Sequence, residues 1–375
     1  MATRPSVLAI NVGSATLKCA LFTFDDAQAI PLVRETLEAT PSSAVPGLLE
    51  WIDSHTRDTS LAAIGHRIVH GGPRFHGPER ITPAVVDALQ RIVPFAPNHL
   101  PAELALVEAL QRARPQVPQV AVFDTAFHET LPDVVRRLPI PASYDARGIR
   151  RYGFHGLSYA YLVQELDRQA GSTAADGRLV LAHLGSGSSL AAVRERRSID
   201  TSMSFTPIGG VIMSTRSGDL DPGLVSYLLR TERWTADQIE EMLSHRAGLL
   251  GVSGTTGDMR ELLAHESTDS ACRLAVAMYA YQIKKWIGGF AAALGGLDTL
   301  VFSGGIGEHA APVRARICAG LEFLGVRIDA LRNDRHADII SVADGPVAVR
   351  VIPTDEEQLM AQLVRGLLAP EEKRA

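Results

Sequence analysis

The sequence predicts an α/β protein built by duplication, and three stretches carry that expectation. Residues 179–193 (LVLAHLGSGSSLAAV) are two apolar runs joined by Gly185, Ser186, Gly187, Ser188 and Ser189, which reads as two strands and a tight glycine turn. Residues 7–22 (VLAINVGSATLKCALF) repeat that design, with a turn of Gly13, Ser14, Ala15 and Thr16 between Asn11 and Lys18. Residues 299–308 (TLVFSGGIGE) run from a strand into Gly304, Gly305 and Gly307 ahead of a helix. Backbone N–H groups at such turns can converge on an anion, and a phosphate is the obvious guest. A hairpin alone would explain one turn equally well. Three of them, two nearly half a chain apart, indicate two halves that face one nucleotide.

Taken in order, strands are expected at 7–11 and 17–24, a helix near 44–55 and a strand at 62–69 ending in His70, Gly71 and Gly72. Amphipathic helices at 82–93 and 101–113 flank a proline-rich elbow, 94–101. A strand at 119–123 ends at Asp124, and the loop-rich segment after it sets the domain boundary there. A helix at 157–169 leads into the glycine hairpin. Residues 199–221 are dense in Ser, Thr and Gly around Arg216, and a loop that long inside a compact domain is usually functional. Helices follow at 223–231, at 236–246 behind a Thr235/Gln238 capping box, and at 268–294. A strand at 299–303, a helix at 311–324 and a strand at 347–352 complete the second half. The last helix, about 355–368, returns to the first. The expected domains are 1–124 plus about 357–375, and 125–356.

Composition bounds the function. The chain has 375 residues, enough for two domains with a core each, and its net charge of −5 argues against a nucleic-acid binder. Cys19, Cys272 and Cys318 show no C-x-x-C pairing, which fits a reduced, cytoplasmic compartment. The first strand follows the start at once, so no signal peptide is expected. The apolar run 271–294 is broken by Lys284, Lys285, Gly288 and Gly289, so a core helix is expected and no membrane partner.

Asn11, Ser14, Thr16 and Lys18 at the first turn, Arg67 in GHRIVHGG, His99 in the elbow, Asp124 in FDTAFH, His155 in YGFHG, Arg216 in TRSGDLDPG and Glu356 in IPTDEE form an anion-handling set. In the same order, NVGSATLK, GHRIVHGG, FDTAFH, RRYGFHGLSY, HLGSGSS, DTSMSFTP, TRSGDLDPG, GIGE and IPTDEE resemble the motifs of the acetate kinase family, part of the actin-like, sugar-kinase-like ATPase superfamily. The resemblance covers almost the whole chain. It implies two actin-like (ribonuclease H-like) domains related by duplication, with the active site in the cleft between them. It also implies reversible, Mg²⁺-dependent (or Mn²⁺-dependent) transfer of the ATP γ-phosphoryl group to acetate or another short-chain carboxylate, by direct in-line displacement. A homodimer through the second domain is a further implication.

The chemistry explains the residue types. A carboxylate acceptor is already ionised at neutral pH, by analogy with Glu at roughly 4.3, so no strong base is needed. Bringing one anion onto another needs cations and positioning. Arg67 and Arg216 are therefore expected to hold the carboxylate and the transferring group, since a guanidinium grips two oxygens at once. His155 is expected to donate to the equatorial oxygens with His99 assisting, and Asp124 to orient. The resemblance places Val69, Asn98, Phe154 and Pro207 at the acid pocket, and Mg²⁺ near Asn11 and Glu356. It places nucleotide at Lys18, Ser14, Thr16, His183, Gly185, Ser186, Gly187, Ser188, Asp258, Met259, Arg260, Gly304, Gly305, Ile306, Gly307 and His309.

Blander readings stand beside these. Ser14 and Ser188 can be turn formers alone. Thr354 to Glu357 also reads as a capping box that leaves Glu356 free for metal. His66 and His70 are too far apart on a strand to share zinc. Departures from the family pattern are Ser186 in place of asparagine, His309 and Asp355 in place of asparagines, Met259 in place of phenylalanine, and a shortened segment between Lys18 and Arg67. Asn98 stands where a leucine walls the methyl pocket, which leaves propionate or a more polar acid open. A sugar or polyol kinase would need a base for a hydroxyl and a polar pocket. An actin-like nucleotide switch would not need Arg67, His155 and Arg216 together.

Overall fold

The computed structural model describes residues 4–12, 17–25, 28–37, 41–56 and 59–369, and the chain divides into two compact units, Met1–Glu129 with Asp355–Ala375, and Thr130–Thr354. The first unit holds β1 (Arg4–Val12), β2 (Leu17–Asp25), β3 (Gln28–Leu37), β4 (Thr59–Ile68), β5 (Glu79–Arg80) and β6 (Gln119–Phe123). They form one sheet in the order β3-β2-β1-β4-β6-β5. β1, β2 and β3 pair antiparallel, while β4 and β6 add parallel to β1. Period-two alternation on β1 sends Leu8, Ile10 and Val12 to one face, where Leu48, Trp51 and Ile52 of the helix Pro41–His55 meet Leu106 and Leu110 of the helix Leu100–Ala113. The helix Glu356–Leu368 packs against β1 and β4. A Cβ at Gly65 would lie 2.7 Å from Val364 Cγ2, so the bare backbone there permits the approach.

The second unit holds β7 (Leu179–Leu184), β8 (Ser188–Arg194), β9 (Arg197–Thr201), β10 (Thr299–Ser303) and β11 (Ala348–Val351), ordered β11-β10-β7-β8-β9. Here too an antiparallel meander, β7-β8-β9, is extended by two parallel strands, β10 and β11. The order β9-β8-β7-β10-β11 repeats β3-β2-β1-β4-β6, so the duplication read from the glycine turns is present in the topology. The helix Ser270–Leu294 runs through this core with Tyr279, Ile283, Ile287 and Phe290 buried. No helix among the described residues is long and apolar enough to cross a membrane.

Besides the two-residue edge strand β5, two strands escape the sequence pattern. β3 carries Pro31 and a largely exposed, charged face, and β9 is a short polar strand. Both sit at sheet edges, where polarity and proline block pairing with another chain and also erase the apolar alternation that marks a strand. The expected helix 236–246 instead ends at Glu241 in a π-helical turn, Met242–Arg246, and 311–324 splits into Ala311–Cys318 and a 3-10 turn, Glu322–Leu324.

Candidate active site

In the first unit the sheet delivers Asn11 at the end of β1, Arg67 near the end of β4 and Asp124 just past β6, all on neighbouring strands. Arg67 donates through Nε and Nη2 to Asp124 Oδ2, with the Nε contact at 3.1 Å. Its Nη1 donates to Asn11 Oδ1 at 3.2 Å and to the Val12 carbonyl at 3.3 Å. Asp124 is wholly buried, and its Oδ1 has no hydrogen-bond partner. Asn11 Nδ2 in turn donates to Glu356 Oε2 at 2.9 Å and Glu357 Oε1 at 3.1 Å, and Glu356 lies 4.0 Å from Arg67 Nε. Burial pushes the Glu356 carboxyl up to about 7, against the pull of Arg67. The same carboxylates hold the Arg67 guanidinium firmly charged, overcoming its desolvation.

The helix that presents Glu356 is capped differently from the sequence reading. Asp355 is the N-cap and accepts from Gln358 N at 2.9 Å, so Glu357 is not the partner in a Thr354 box but joins Glu356 on Asn11. An Asp at this position outcompetes its neighbour because its short carboxylate reaches the third helical N–H directly.

Glu103 belongs to this neighbourhood and was not singled out from the sequence. It lies in the first turn of the helix Leu100–Ala113, where an acid reads as a helix-dipole partner. In the fold it is buried, and both its oxygens accept from Val69 N, at 3.1 and 3.3 Å. Desolvation pushes its carboxyl up to about 8, opposed by Arg67 and reinforced by Asp124. Because the folded-state value lies above the unfolded one near 4.5, Glu103 favours the fold most below that pH and loses the contribution as pH rises through 8. Stability of the wild type should therefore fall between pH 6 and pH 9 by on the order of 2–4 kcal/mol. Melting curves at the two pH values check this, and Glu103→Gln should flatten the difference.

In the second unit the glycine hairpin, His155 and Arg216 come together. The 202–221 loop is pinned by Ser214 N donating to the Ser186 carbonyl at 3.1 Å and by Met213 N donating to the Arg216 carbonyl at 3.1 Å. Gly248, at φ +62°, closes on this loop; a Cβ there would stand 2.2 Å from the Met213 carbonyl. Arg216 Nη1 donates to the Pro207 carbonyl at 2.8 Å. A Cβ on Gly187 would fall 2.8 Å from Arg216 Nη2 and 3.3 Å from His155 Nε2, so the glycine is what lets both side chains sit over the turn. His155 is a non-glycine residue at φ 59°, ψ 25°, ahead of the helix Gly156–Ala170, a costly conformation of the kind that gathers at active sites. Its Nδ1 lies 2.8 Å from Ser189 Oγ, which lies 2.5 Å from Tyr159 Oη. Its ring stacks on His183 at 4.3 Å between centroids, and His183 Nδ1 lies 2.8 Å from Ser158 Oγ. Ser189, read from the sequence only as part of the turn, and Tyr159 and Ser158, not singled out there, are thus supports of the two histidines. Serines and a helical Tyr carry no signal of their own.

The acetokinase model matches residues 33–362. The acetate kinase of Rhodopseudomonas palustris strain TIE-1 is 46% identical over 86% of this chain and 81% of its own length. That of Sulfurovum sp. strain NBC37-1 is 40% identical over 94% and 96%. The chain belongs to the acetokinase family. Among solved structures, Porphyromonas gingivalis acetate kinase superposes with a TM-score of 0.88 at 34% identity, covering 97% of this chain and 100% of that one. A Francisella tularensis propionate kinase gives 0.85 at 32%, covering 97% and 99%. The fold is accordingly the two-domain actin-like fold of acetokinases.

Other residues singled out from the sequence fall at varied places in this acetokinase. Lys18 is exposed on β2 opposite Asn11, while Ser14 and Thr16 lie outside the described residues. Val69, Phe154 and Pro207 are buried; Asn98 is exposed, and His99 is partly exposed ahead of the helix Leu100–Ala113. Gly304 starts the helix Gly304–His309 at φ +77°, donating its N–H to Glu308 Oε1 at 2.8 Å, with Gly305, Ile306 and Gly307 in the same helix and His309 mostly exposed at its end. Gly185 and exposed Ser186 form the hairpin tip. Asp258 caps the helix Met259–His265 and pairs with exposed Arg260.

Two expected nucleotide contacts need correction at the side chain. Ser188 is wholly buried, its hydroxyl donating to the Gly185 carbonyl at 2.9 Å and lying 2.8 Å from Tyr279 Oη, so it shapes the turn from below. Met259 packs in the core of the second unit, 3% exposed, because helix periodicity turns that position inward with Leu262. His66 and His70 bind separately, His66 to Gln119 Oε1 at 2.7 Å and His70 Nδ1 to Gly72 N at 2.9 Å, and burial pushes His66 down to about 4.

Proposed function

We propose that this chain transfers the γ-phosphoryl group of ATP reversibly to acetate or another short-chain carboxylate, giving an acyl phosphate and ADP by direct in-line displacement. The observation that carries this reading is the state of Asp124. It is wholly buried and bound to Arg67, so it fixes a guanidinium instead of waiting to take a proton from a hydroxyl. A carboxylate acceptor needs no base, whereas a sugar hydroxyl does. Arg67, aimed by Asp124, Asn11 and the Val12 carbonyl, would steer the acceptor carboxylate, with His99 and the apolar Val69 of the same unit beside it. Arg216 and His155 would meet the charge that develops on the transferring phosphoryl oxygens. The Gly185–Gly187 turn and the start of the helix Gly304–His309 supply backbone N–H groups for phosphates.

Among the described residues no three His, Cys, Asp or Glu side chains are grouped to hold a metal by themselves. Asn11, Glu356 and the unpartnered Asp124 Oδ1 are hard oxygen donors, which suits Mg²⁺, a cation that keeps several waters and shares phosphate oxygens. When bound, Mg²⁺ would neutralise charge on the nucleotide phosphates. The cytoplasm fits three buried, unpaired cysteines. A homodimer through the second unit is supported by the helix Pro222–Arg230, on which Leu224, Tyr227 and Leu229 are exposed; light scattering that shows a monomer would remove that part.

Incubation with Mg-ATP, hydroxylamine and a panel of acids tests the function. Acyl hydroxamate should form with acetate or propionate and not with sugars or polyols. Nucleotide turnover without hydroxamate on any acid would refute it.

A further inference from the structure

Three consecutive acids, Asp355, Glu356 and Glu357, open the helix Glu356–Leu368. The helix dipole welcomes them, but their mutual repulsion does not. The structure meets this repulsion from two strands. On β4, Arg67 approaches Glu356; on β3, at the sheet edge, Arg34 forks onto Asp355, Nη1 to Oδ1 at 3.1 Å and Nη2 to Oδ2 at 2.5 Å. The same Asp355 Oδ1 accepts from Gln358 N, so one carboxylate caps the helix and receives the fork. Arg34 is also steadied, its Cζ 5.4 Å over the ring of buried Phe22. Between the two arginines, Asn11 holds Glu356 and Glu357.

We propose that the Arg34–Asp355 pair is a positioning clamp that fixes the acidic helix start, and so sets the affinity of Glu356 for a divalent cation. The inference rests on the proposed metal role of Glu356 and adds a residue outside that site. A bidentate guanidinium–carboxylate pair fixes both direction and distance, which a cap alone does not. Side-chain exposures of 43% for Arg34 and 17% for Asp355 make the clamp sensitive to salt.

The test uses the whole chain with Arg34→Gln, Arg34→Lys, Asp355→Asn and, as a control, Glu356→Gln. Mn²⁺ binding is followed by electron paramagnetic resonance with ADP present, and amide exchange over 355–360 is measured without metal. Arg34→Gln should weaken Mn²⁺ binding about three- to tenfold, speed exchange over 355–360 by a similar factor, and leave kcat at saturating metal within about twofold. Asp355→Asn keeps the cap and loses the charge, so it should fall between wild type and Arg34→Gln; Arg34→Lys should recover part of the affinity. The Arg34→Gln/Asp355→Asn double variant should be no worse than Arg34→Gln alone. High KCl should weaken Mn²⁺ binding more in the wild type than in Arg34→Gln. Unchanged exchange together with unchanged Mn²⁺ affinity in Arg34→Gln would overturn the clamp. Were Glu356→Gln to bind Mn²⁺ as the wild type does, the metal reading would fail and the proposal with it, while the exchange data would still show whether Arg34 orders the helix start.

Discussion

Replacing Arg216 by alanine is expected to cut acyl phosphate formation by about three orders of magnitude or more, the scale on which an arginine serves a transferring phosphoryl group. The melting midpoint should stay near the wild-type value. The loop that carries Arg216 is held by backbone hydrogen bonds of Met213, Ser214 and Asp219 and by the approach of Gly248, none of which needs the guanidinium. Arg216→Lys keeps a charge but loses the planar fork, so it should recover only a small part of the rate. Hydroxamate assays with saturating acetate and Mg-ATP give the rate, and a thermal melt gives the stability. A variant that kept its rate would show that Arg216 serves the loop and not the chemistry.

How far the sequence carries this picture depends on the kind of signal each element leaves. Glycine turns between apolar runs are loud, so the hairpin of β7 and β8, the pair β1 and β2 and the entry to the helix Gly304–His309 were all legible, and with them the duplication. The edge strands β3 and β9 were not, because an edge is kept polar to prevent pairing, and polarity reads as loop. Arg67, Asp124, His155 and Arg216 were legible as charged or titratable residues inside small-residue motifs. Their mutual support was not. Nothing local says that Asp124 turns onto Arg67, that Ser189 holds His155, or that an acid four residues beyond His99 is buried against Val69. Ser188 and Met259 show the reverse failure: each lies in a telling motif, yet each side chain faces the core. Motif membership places the backbone, and only packing decides where the side chain goes.

Removing Arg67 should cost both rate and fold, and the two losses should separate. Asp124 is wholly buried, and Arg67 is the cation that both compensates it and lowers the Glu103 carboxyl. Arg67→Ala therefore leaves a buried carboxylate uncompensated, a change worth about 3–5 kcal/mol in comparable buried pairs. The stability loss should be smallest at low pH, where the buried Glu103 carboxyl beside it keeps its proton, and should grow as pH rises toward 8 and that second charge appears. Adding Asp124→Asn removes the stranded charge, so the double variant should regain most of the stability of the wild type. On the proposed role of Arg67 it should regain none of the activity, since the guanidinium assigned to the acceptor carboxylate is still missing. Urea titrations at pH 5.5 and pH 8 and hydroxamate assays on the single and double variants measure the two quantities. A double variant as unstable as Arg67→Ala would mean that packing, and not the stranded charge, dominates. A double variant with restored activity would mean that Arg67 is a structural counter-ion, and that the acceptor carboxylate is held by some other group.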